Sequence, residues 1–536
     1  MTTLHETEID GVRCFWVETG RPTLSATLDF RFGLADEPLV ESGWQHILEH
    51  MALRGRGGGS LDVNGQVSLL GTSFVTHGPV DAVTAHLGEV THWLSAPRFT
   101  DLLSERQVLK AEAQVRANNP TVRALGWRYG ARGPGVIAQG EVALSVATPE
   151  ALWARASHAF GASNAVLALD GPPPPGLRLH LPEGAFVPQK AAVPCEDGLP
   201  ATYEEYDGVV FSGVVPRSSV MTIGAELLRV ELTKRLRHEQ GMAYSPWSVY
   251  EPVDADNAVI VAGSDLRSDT PPRVTDTAMR AVELLGSGYP DSNEVDRLRE
   301  ARLQALRDPY ARFGLAVRAA HQALHRQPVL DFDAVIDEIE RVSNVEMREG
   351  FRQFNHTLLV GRADPESAAP KLHVLGFGAT KPQATGHRFK HVNWPKPRAE
   401  LVVGKDAVEV RFDGKARTIP TTELACLYRY ENGIRGLLRN DGYGVTIEPR
   451  EWRRGSRAVA MVDAFVPTQL HLPMPALESA APALKRRGAF HSHPVLAVPS
   501  VLVVILAMVL AVQLDNPLLV WPILGVGLLW FRLLRD

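Results

Sequence analysis

The pentapeptide His46-Ile47-Leu48-Glu49-His50 restricts the chain more than any other feature, because its polar residues can act together only on a helix. Residues four apart project from one face of an α-helix, so both imidazoles can reach a single metal ion. Glu49 lies on the same side, where it can take a proton from a metal-bound water. Ser42 is a candidate N-cap, and Gly55 begins the glycine-rich stretch that would end the helix. We therefore predict a zinc site here, although a five-residue pattern also arises by chance in long chains.

A second predicted helix, Leu103 to Glu112, carries two glutamates that could complete the site. Glu105 and Glu112 are seven residues, or two helical turns, apart and therefore share one face. Catalytic zinc usually has three protein ligands and one open position for water. The alternative is a solvated charged face, because Arg106 and Lys110 lie between the glutamates. Downstream of an H-x-x-E-H helix, we favour the metal interpretation.

With these residues in place, the chain to about residue 370 resembles the pitrilysin, insulin-degrading-enzyme and mitochondrial-processing-peptidase family of zinc peptidases. The H-x-x-E-H order is the inverzincin motif, the inverse of H-E-x-x-H. The likeness begins with the strand pair 13–18 and 23–32. It continues through residues 33–37 into the run 45–52, which contains the pentapeptide.

The resemblance assigns a role to each site residue. It implies that His46, His50 and Glu112 bind Zn²⁺ and that Glu49 is the general base. Glu105 matches a second family glutamate that supports the site without being the main ligand. The implied activity is that of a zinc metalloendopeptidase that cleaves unfolded peptides.

A later signature, residues 236–244, also matches the family. The resemblance implies that its Arg237 and Tyr244 contact the substrate backbone and the developing oxyanion. Taken without the other two signatures, an arginine and a tyrosine at this spacing would be ordinary surface residues. Three signatures in the family's order support the functional interpretation.

The sequence also departs from the family. The interval from His50 to Glu112 is short, which indicates trimmed loops. The family usually has an Asn-Ala pair after a glycine near the edge strand of the active site. We align that pair with the segment Gly71 to His77, which lacks the asparagine, and Ser73 is a candidate replacement. This departure bears on substrate positioning more than on metal binding.

Composition is that of a globular protein with several domains. The 536 residues predict about three or four domains, at roughly 100–200 residues each. Apolar residues make up 45% of the chain, the net charge is only −5, and no basic block indicates nucleic acid. The three cysteines are far apart, as is typical of a reducing compartment, and the N-terminus does not read as a signal peptide.

We predict an α+β fold with two related α/β-sandwich peptidase domains, then a small β-rich domain and a C-terminal transmembrane helical hairpin. The predicted units are residues 1–170 with the zinc site, a proline-rich linker 171–200, a second peptidase-like domain 201–375 with the Arg/Tyr motif, the β-rich domain 376–480 and the hairpin 495–532. Asp413-Gly414 and Asp441-Gly442 predict hairpin turns in the β-rich domain. Its strand pattern is similar to a pleckstrin-homology barrel. It could bind a lipid headgroup or a protein, or space the peptidase from a membrane.

The hairpin is predicted from two apolar runs, Val495 to Val512 and Pro517 to Phe531. The first has the length of a membrane-spanning helix, whereas the second is short for a full crossing. Cations flank both ends and the turn carries only Asp515, so the positive-inside rule places the catalytic body in the cytoplasm. The alternative is a buried apolar hairpin.

The sequence thus predicts a membrane-anchored cytoplasmic zinc endopeptidase. A peptide substrate would add as a strand to a sheet edge inside a chamber of two halves, and one chain supplies one half. This implies a homodimer or a pairing with a related subunit. The alternatives are a catalytically impaired binding or assembly subunit, and a tethering protein that acts through the β-rich domain.

Overall fold

The structure is a computed structural model that describes residues 3–477, except 117–118, 196–197, 206–207, 266–270, 289, 309–310, 363–371 and 377–380. Three units follow one another along this part of the chain. The first two each contain a six-stranded mixed sheet with helices, and the third contains two four-stranded sheets.

The first unit is a sheet in the order β1-β2-β6-β3-β5-β4, antiparallel except for the pair β2 and β6. Its strands are β1 (Leu4–Ile9), β2 (Val12–Val17), β3 (Leu24–Phe30), β4 (Asp62–Val67), β5 (Thr72–Gly78) and β6 (Ala165–Leu169). Its helices are α1 (Trp44–Leu53), α2 (Val80–Ser95), α3 (Leu102–Arg116), α4 (Pro120–Tyr129) and α5 (Pro149–Ala159). Alternate residues of β3, including Leu28 and Phe30, pack against α1, α2 and α5 on one face of the sheet. β4 is left as an edge strand.

The second unit repeats this layout in the order β12-β7-β11-β8-β10-β9. Its strands are β7 (Ala201–Glu204), β8 (Val209–Pro216), β9 (Trp247–Pro252), β10 (Asn257–Ser264), β11 (Leu359–Arg362) and β12 (His373–Val374). Its helices are α6 (Ser219–Leu232), α7 (Pro271–Ser287), α8 (Ser292–Arg307), α9 (Phe313–Leu324), α10 (Phe332–Glu340) and α11 (Asn344–His356). A π-helical stretch, Thr233–Glu239, continues α6.

The two units each cover the back of the other's sheet. Helix α9 of the second unit lies against β2, β3 and β6, and helix α4 of the first lies against β8 and β11. Arg128 of α4 is fully buried and donates hydrogen bonds to the carbonyl oxygens of Ser212 (2.8 Å) and Thr357 (2.9 Å). Burial lowers the pKa of Arg128 to about 10. These exchanged helices fix the orientation of the two sheets.

The third unit is β-rich. Its strands are β13 (His387–Lys390), β14 (Ala399–Val403), β15 (Ala407–Phe412), β16 (Lys415–Pro420), β17 (Leu424–Tyr430), β18 (Arg435–Arg439), β19 (Gly444–Ile447) and β20 (His471–Met474). They form the sheets β13-β14-β15-β16 and β19-β18-β17-β20, which share one core with α12 (Gly455–Phe465). The predicted turns at Asp413-Gly414 and Asp441-Gly442 join β15 to β16 and β18 to β19.

The third unit is docked on the first. The Ala131 amide donates to the Asn440 carbonyl at 2.9 Å. Gly130 has φ +71°, and a Cβ atom there would lie 2.3 Å from the Asn440 oxygen, so only glycine permits this approach. Leu39, which precedes α1, shares a small apolar cluster with Cys426 of β17.

The proline-rich segment 171–200 connects the first two units, but it packs against them for much of its length. Leu177 and Leu179 are buried in the core of the first unit. The Ala162 amide donates to the Pro182 carbonyl at 2.7 Å, and the Cys195 amide to the Arg128 carbonyl at 2.8 Å. The segment is therefore a fixed crossover.

No helix in the described part of the chain is long and apolar enough to cross a bilayer. The predicted hairpin at 495–532 lies outside the described residues. The finding on the helices contradicts the prediction of a C-terminal membrane anchor with a cytoplasmic catalytic body.

Candidate metal centre

The start of helix α1 is fixed by a carboxylate from outside the helix. Glu37 is buried, and its carboxylate accepts hydrogen bonds from the amides of Gly43 (2.9 Å) and Gln45 (2.7 Å). The sequence-based N-cap at Ser42 was wrong, because Gly43 occupies that position and the Ser42 hydroxyl donates to the Gly140 carbonyl instead. Burial raises the pKa of Glu37 to about 7, against the opposing effect of Arg155.

His46, Glu49 and His50 project from α1 toward one point. Their candidate ligand atoms lie within 4.8 Å of one another. The Nε2 atom of each histidine is 3.7 Å from Glu49 Oε2, and the two rings meet edge to face at 4.6 Å. His46 and Glu49 are buried and His50 is partly exposed, so the group opens to solvent on the His50 side.

Glu112 reaches the same point from α3. Its Oε2 atom lies 3.8 Å from Nε2 of His46 and 3.8 Å from Nε2 of His50. The structure therefore brings together the two histidines and the distant glutamate that the sequence singled out as ligands. Both imidazoles present the same ring nitrogen to Glu112.

Glu105, two turns earlier on α3, contacts the other side of His50. Its Oε1 atom is 2.8 Å from His50 Nδ1, and its second oxygen accepts a hydrogen bond from Arg54. Burial raises the pKa of Glu105, but the hydrogen bonds and charges of His50 and Arg54 outweigh burial, and the net pKa is below its usual value. An ionised Glu105 accepts a hydrogen bond from the protonated Nδ1 of His50. The lone pair on Nε2 of His50 is then the one that can bind a metal ion.

Glu141 is a site residue that the sequence analysis missed. Its Oε1 atom lies 2.8 Å from Nδ1 of His46. Glu141 therefore orients the His46 ring in the same way as Glu105 orients the His50 ring. It precedes a short 3₁₀ turn far along the chain from α1. Neither spacing nor periodicity relates Glu141 to the pentapeptide.

The group lines a cavity of about 660 Å³ that is bordered by the edge strand β4. Val63, Asn64, Gly65, Gln66 and Val67 all contribute to its lining. A Cβ atom on Gly65 would lie 1.7 Å from Glu49 Oε1, so the glycine leaves room for the Glu49 carboxyl group.

The edge-strand assignment from the sequence is corrected by this topology. The segment beginning at Gly71 forms β5, the second strand, whereas the strand beside the cavity is β4 with its Asn64-Gly65 pair. The Ser73 hydroxyl of β5 donates to Asp29 and does not line the cavity. An asparagine, Asn64, is therefore present on the edge strand, one strand earlier than expected.

Arg237 and Tyr244 lie elsewhere. They are in and just after the π-helical stretch of the second unit, with the guanidinium 5.4 Å from the tyrosine ring centre. Tyr244 is 70% exposed, and neither residue lines the cavity of the first unit. Within one chain, the second-unit pair is not part of the histidine and glutamate group.

Comparison with known proteins identifies the fold class. No protein-family model and no curated protein sequence matches the chain. Among solved structures, it is similar to an inactive domain of an M16 peptidase from Pseudomonas fluorescens, with 14% identity, a TM-score of 0.58, and coverage of 69% of this chain and 99% of that one. The first half of the periplasmic protease PqqL from Escherichia coli matches at 15% identity and a TM-score of 0.53, over 70% of this chain and 94% of that chain. Pitrilysin matches at 15% identity and a TM-score of 0.53, over 71% of this chain but only 46% of pitrilysin.

The chain therefore has the mixed α/β fold of M16 peptidase domains. At these identities the likeness extends to the fold alone, and one of the similar structures is described as inactive. Whether this chain can catalyse peptide hydrolysis depends on its own side chains and not on the shared fold.

Proposed function

We propose that the protein is a zinc-dependent endopeptidase that hydrolyses extended peptides. The observation that carries the proposal is the convergence of His46, His50, Glu49 and Glu112 at the wall of a cavity that an edge strand also lines. The mixed nitrogen and oxygen donors are of the kinds that zinc uses in catalytic sites.

The donor set fits a zinc ion. Glu141 and Glu105 engage the Nδ1 atoms of His46 and His50, so each Nε2 atom is directed at the shared point. Glu112 would be the third ligand, which leaves a fourth position for water or substrate. When bound, the zinc ion would supply Lewis acidity that activates water and polarises the scissile carbonyl.

Glu49 moves the proton. The Oε2 atom of its carboxyl group lies 3.7 Å from Nε2 of His46 and of His50. The Oε1 atom packs against the backbone of Gly65. From there Glu49 would accept a proton from the attacking water and return it to the leaving amide nitrogen. Burial of Glu49 keeps bulk water from competing for that proton.

The substrate would bind as an added strand on β4. β4 pairs with β5 on one side only, so its other edge has backbone amides and carbonyls available for a peptide. Because β4 lines the same cavity as Glu49, a peptide paired with it would carry its backbone past the catalytic group. A partly folded protein could not enter as a single strand, so we expect selectivity for unfolded peptides.

Arg237 and Tyr244 would act from a second chain. Tyr244 is largely exposed and lies outside the cavity of its own chain. A homodimer, or a pairing with a related subunit, would allow this pair to face the first unit of the partner and stabilise the developing oxyanion. Each chain would then supply one half of two sites.

The alternative is a binding or assembly subunit without catalysis, since the fold is shared with an M16 domain described as inactive. The test is hydrolysis of a quenched fluorescent peptide library by the purified protein, before and after removal of metal with a chelator and after addition of zinc. We expect cleavage that is lost on chelation, restored by zinc and absent from His50→Ala. Zinc binding by a folded wild-type protein that cleaves nothing in the library would support the inactive alternative.

A further inference from the structure

A basic pocket lies in the third unit, away from the metal centre. It has a volume of about 350 Å³, within the range of roughly 300–1,000 Å³ that is typical of small-molecule sites. Its lining contains five cationic side chains and no carboxylate, namely Arg388, Lys390, Arg453, Arg454 and Arg457, together with His387 and Phe389. We call this the basic pocket.

The pocket is built from two segments that the sequence separates widely. The Arg453 amide donates to the Lys390 carbonyl at 2.8 Å, and His391 and Trp452 form a β-bridge. Phe389 and Trp452 are each 5% exposed and anchor the two segments in the core. This pairing explains why no basic run in the sequence marks the site, and it holds the cations of β13 beside those at the start of α12.

None of the five cations is in an ion pair with a described residue, whereas other arginines of the third unit, Arg411 and Arg435, pair with Glu409 and Asp463. Five like charges around one cavity repel each other, and a bound anion would remove that repulsion. The absence of carboxylates from the lining also excludes a divalent cation as the occupant.

The backbone at Arg454 adds a second feature. Arg454 is the N-cap of α12 and has φ +59°, a left-handed conformation that is costly for a residue with a side chain. It also lacks the side-chain oxygen with which serine or aspartate would satisfy the first helical amides. Arg454 therefore adds a cation, instead of a capping oxygen, at the N-terminal end of α12. This end of a helix carries partial positive charge, and anions bind there favourably.

We propose that the basic pocket binds a polyanionic phosphate group. Arginine matches phosphate because its planar guanidinium can donate two parallel hydrogen bonds, and four arginines can serve two or more adjacent phosphates. Such a group occurs in soluble polyphosphorylated molecules and in phosphorylated lipid headgroups. The site is independent of the peptidase centre, since it shares no residue with that cavity.

The test is calorimetric titration of the full chain with inorganic tripolyphosphate at low and at physiological salt. Removal of one guanidinium by Arg457→Gln should weaken binding by about tenfold, as expected for one charge-assisted contact. Arg454→Gly should weaken it similarly while keeping the fold, because glycine adopts the left-handed conformation freely. Lys415→Gln, which removes an exposed cation at the start of β16 in the same unit, is the matched control and should change affinity less than twofold.

A second arm distinguishes the two sources of phosphate. Phosphatidylcholine vesicles with and without a phosphorylated inositol lipid are sedimented with the protein. Binding of tripolyphosphate without lipid-dependent sedimentation supports a soluble ligand, whereas arginine-dependent sedimentation supports a headgroup. The proposal is overturned if neither probe binds, or if Arg454→Gly and Arg457→Gln bind as well as Lys415→Gln does.

Discussion

The two α/β units have the same layout but different side chains at the same point of the fold. In the first, β3 is followed by α1 and then by the edge strand β4 and β5; in the second, β8 is followed by α6 and then by β9 and β10. Helix α1 carries His46, Glu49 and His50, whereas α6 contains no histidine. The acidic residues of α6 are engaged locally: Glu226 accepts a hydrogen bond from Arg229 of α6, and Glu231 accepts one from Arg235 of the π-helical stretch that follows.

The two units share their apolar packing but not the group of side chains that could hold a metal. Among the described residues, the group on α1 is the only set of three or more histidine, cysteine or acidic side chains close enough to hold a metal. The shared sheet and helix positions form through apolar packing in both units. Within the part of the chain that the structure describes, the side chains of one helix therefore distinguish the unit that could hold a metal from the other.

The largest effect should come from removing a first-unit ligand. His46→Ala or Glu112→Gln leaves too few donors, so zinc affinity should fall by more than the roughly 10–100-fold that is typical of losing a hydrogen-bond partner of a ligand. Competition with a chelating dye measures the affinity. Glu226→Gln on α6 is the matched control and should bind zinc normally. Wild-type zinc affinity in His46→Ala would show that the metal is not held by the first unit.

The next effect sharpens the role of the second unit. Tyr244→Phe should lower turnover by about 10²–10³, the range for one lost oxyanion donor, and leave zinc content unchanged. If the tyrosine acts on the partner chain, mixing Tyr244→Phe with His46→Ala should restore activity to about a quarter of wild type in a random dimer. No recovery in confirmed mixed dimers would contradict action from a second chain.

A smaller effect is expected at the positioning residues. Glu105→Gln and Glu141→Gln remove the charge that holds the Nδ1 proton of His50 and His46, so zinc affinity should fall about 10–100-fold. The two variants should behave alike, because the two contacts are equivalent. A normal affinity in both would show that these contacts do not orient the ligands.

The smallest effect concerns the pH dependence of stability. The pKa of Glu37 is raised to about 7 in the folded protein, so its contribution is fully present below the unfolded value near 4.5 and is lost as pH rises through 7. Across this window the Glu37 contribution falls by at most about 1.4 kcal/mol per pH unit. Glu37→Gln should remove that slope in urea unfolding at several pH values, whereas Glu226→Gln should keep it.

Short-range spacing let the sequence single out the candidate residues of the first unit, and their role as zinc ligands stays a prediction. His46, Glu49 and His50 share a helix turn, and Glu105 and Glu112 share a helix face, so periodicity groups the residues within each helix. The family resemblance, not periodicity, joined the two helices in one site. Glu141, Glu37 and the basic pocket depend on contacts between distant segments, which periodicity does not encode. The family's Asn-Ala pair was placed one strand late, on the segment beginning at Gly71, because the sequence does not show which strand of the β4–β5 hairpin is the edge.

The prediction of a membrane anchor came from the segment after residue 477, which lies outside the described residues. It was drawn from the apolar length of that segment and from the cations that flank it. The helices found in the described chain do not support it. By contrast, the alternating runs 400–403, 407–412 and 444–448 predicted strands, and β14, β15 and β19 lie there.

The most direct test of the account is the Glu49→Gln variant, measured for zinc content and for peptide cleavage in the same preparation. The account predicts unchanged zinc, because His46, His50 and Glu112 remain, and turnover reduced by at least about 10²–10⁴ because the proton acceptor is gone. Full activity in Glu49→Gln, or loss of zinc together with activity, would contradict the assignment of Glu49 as base and not ligand.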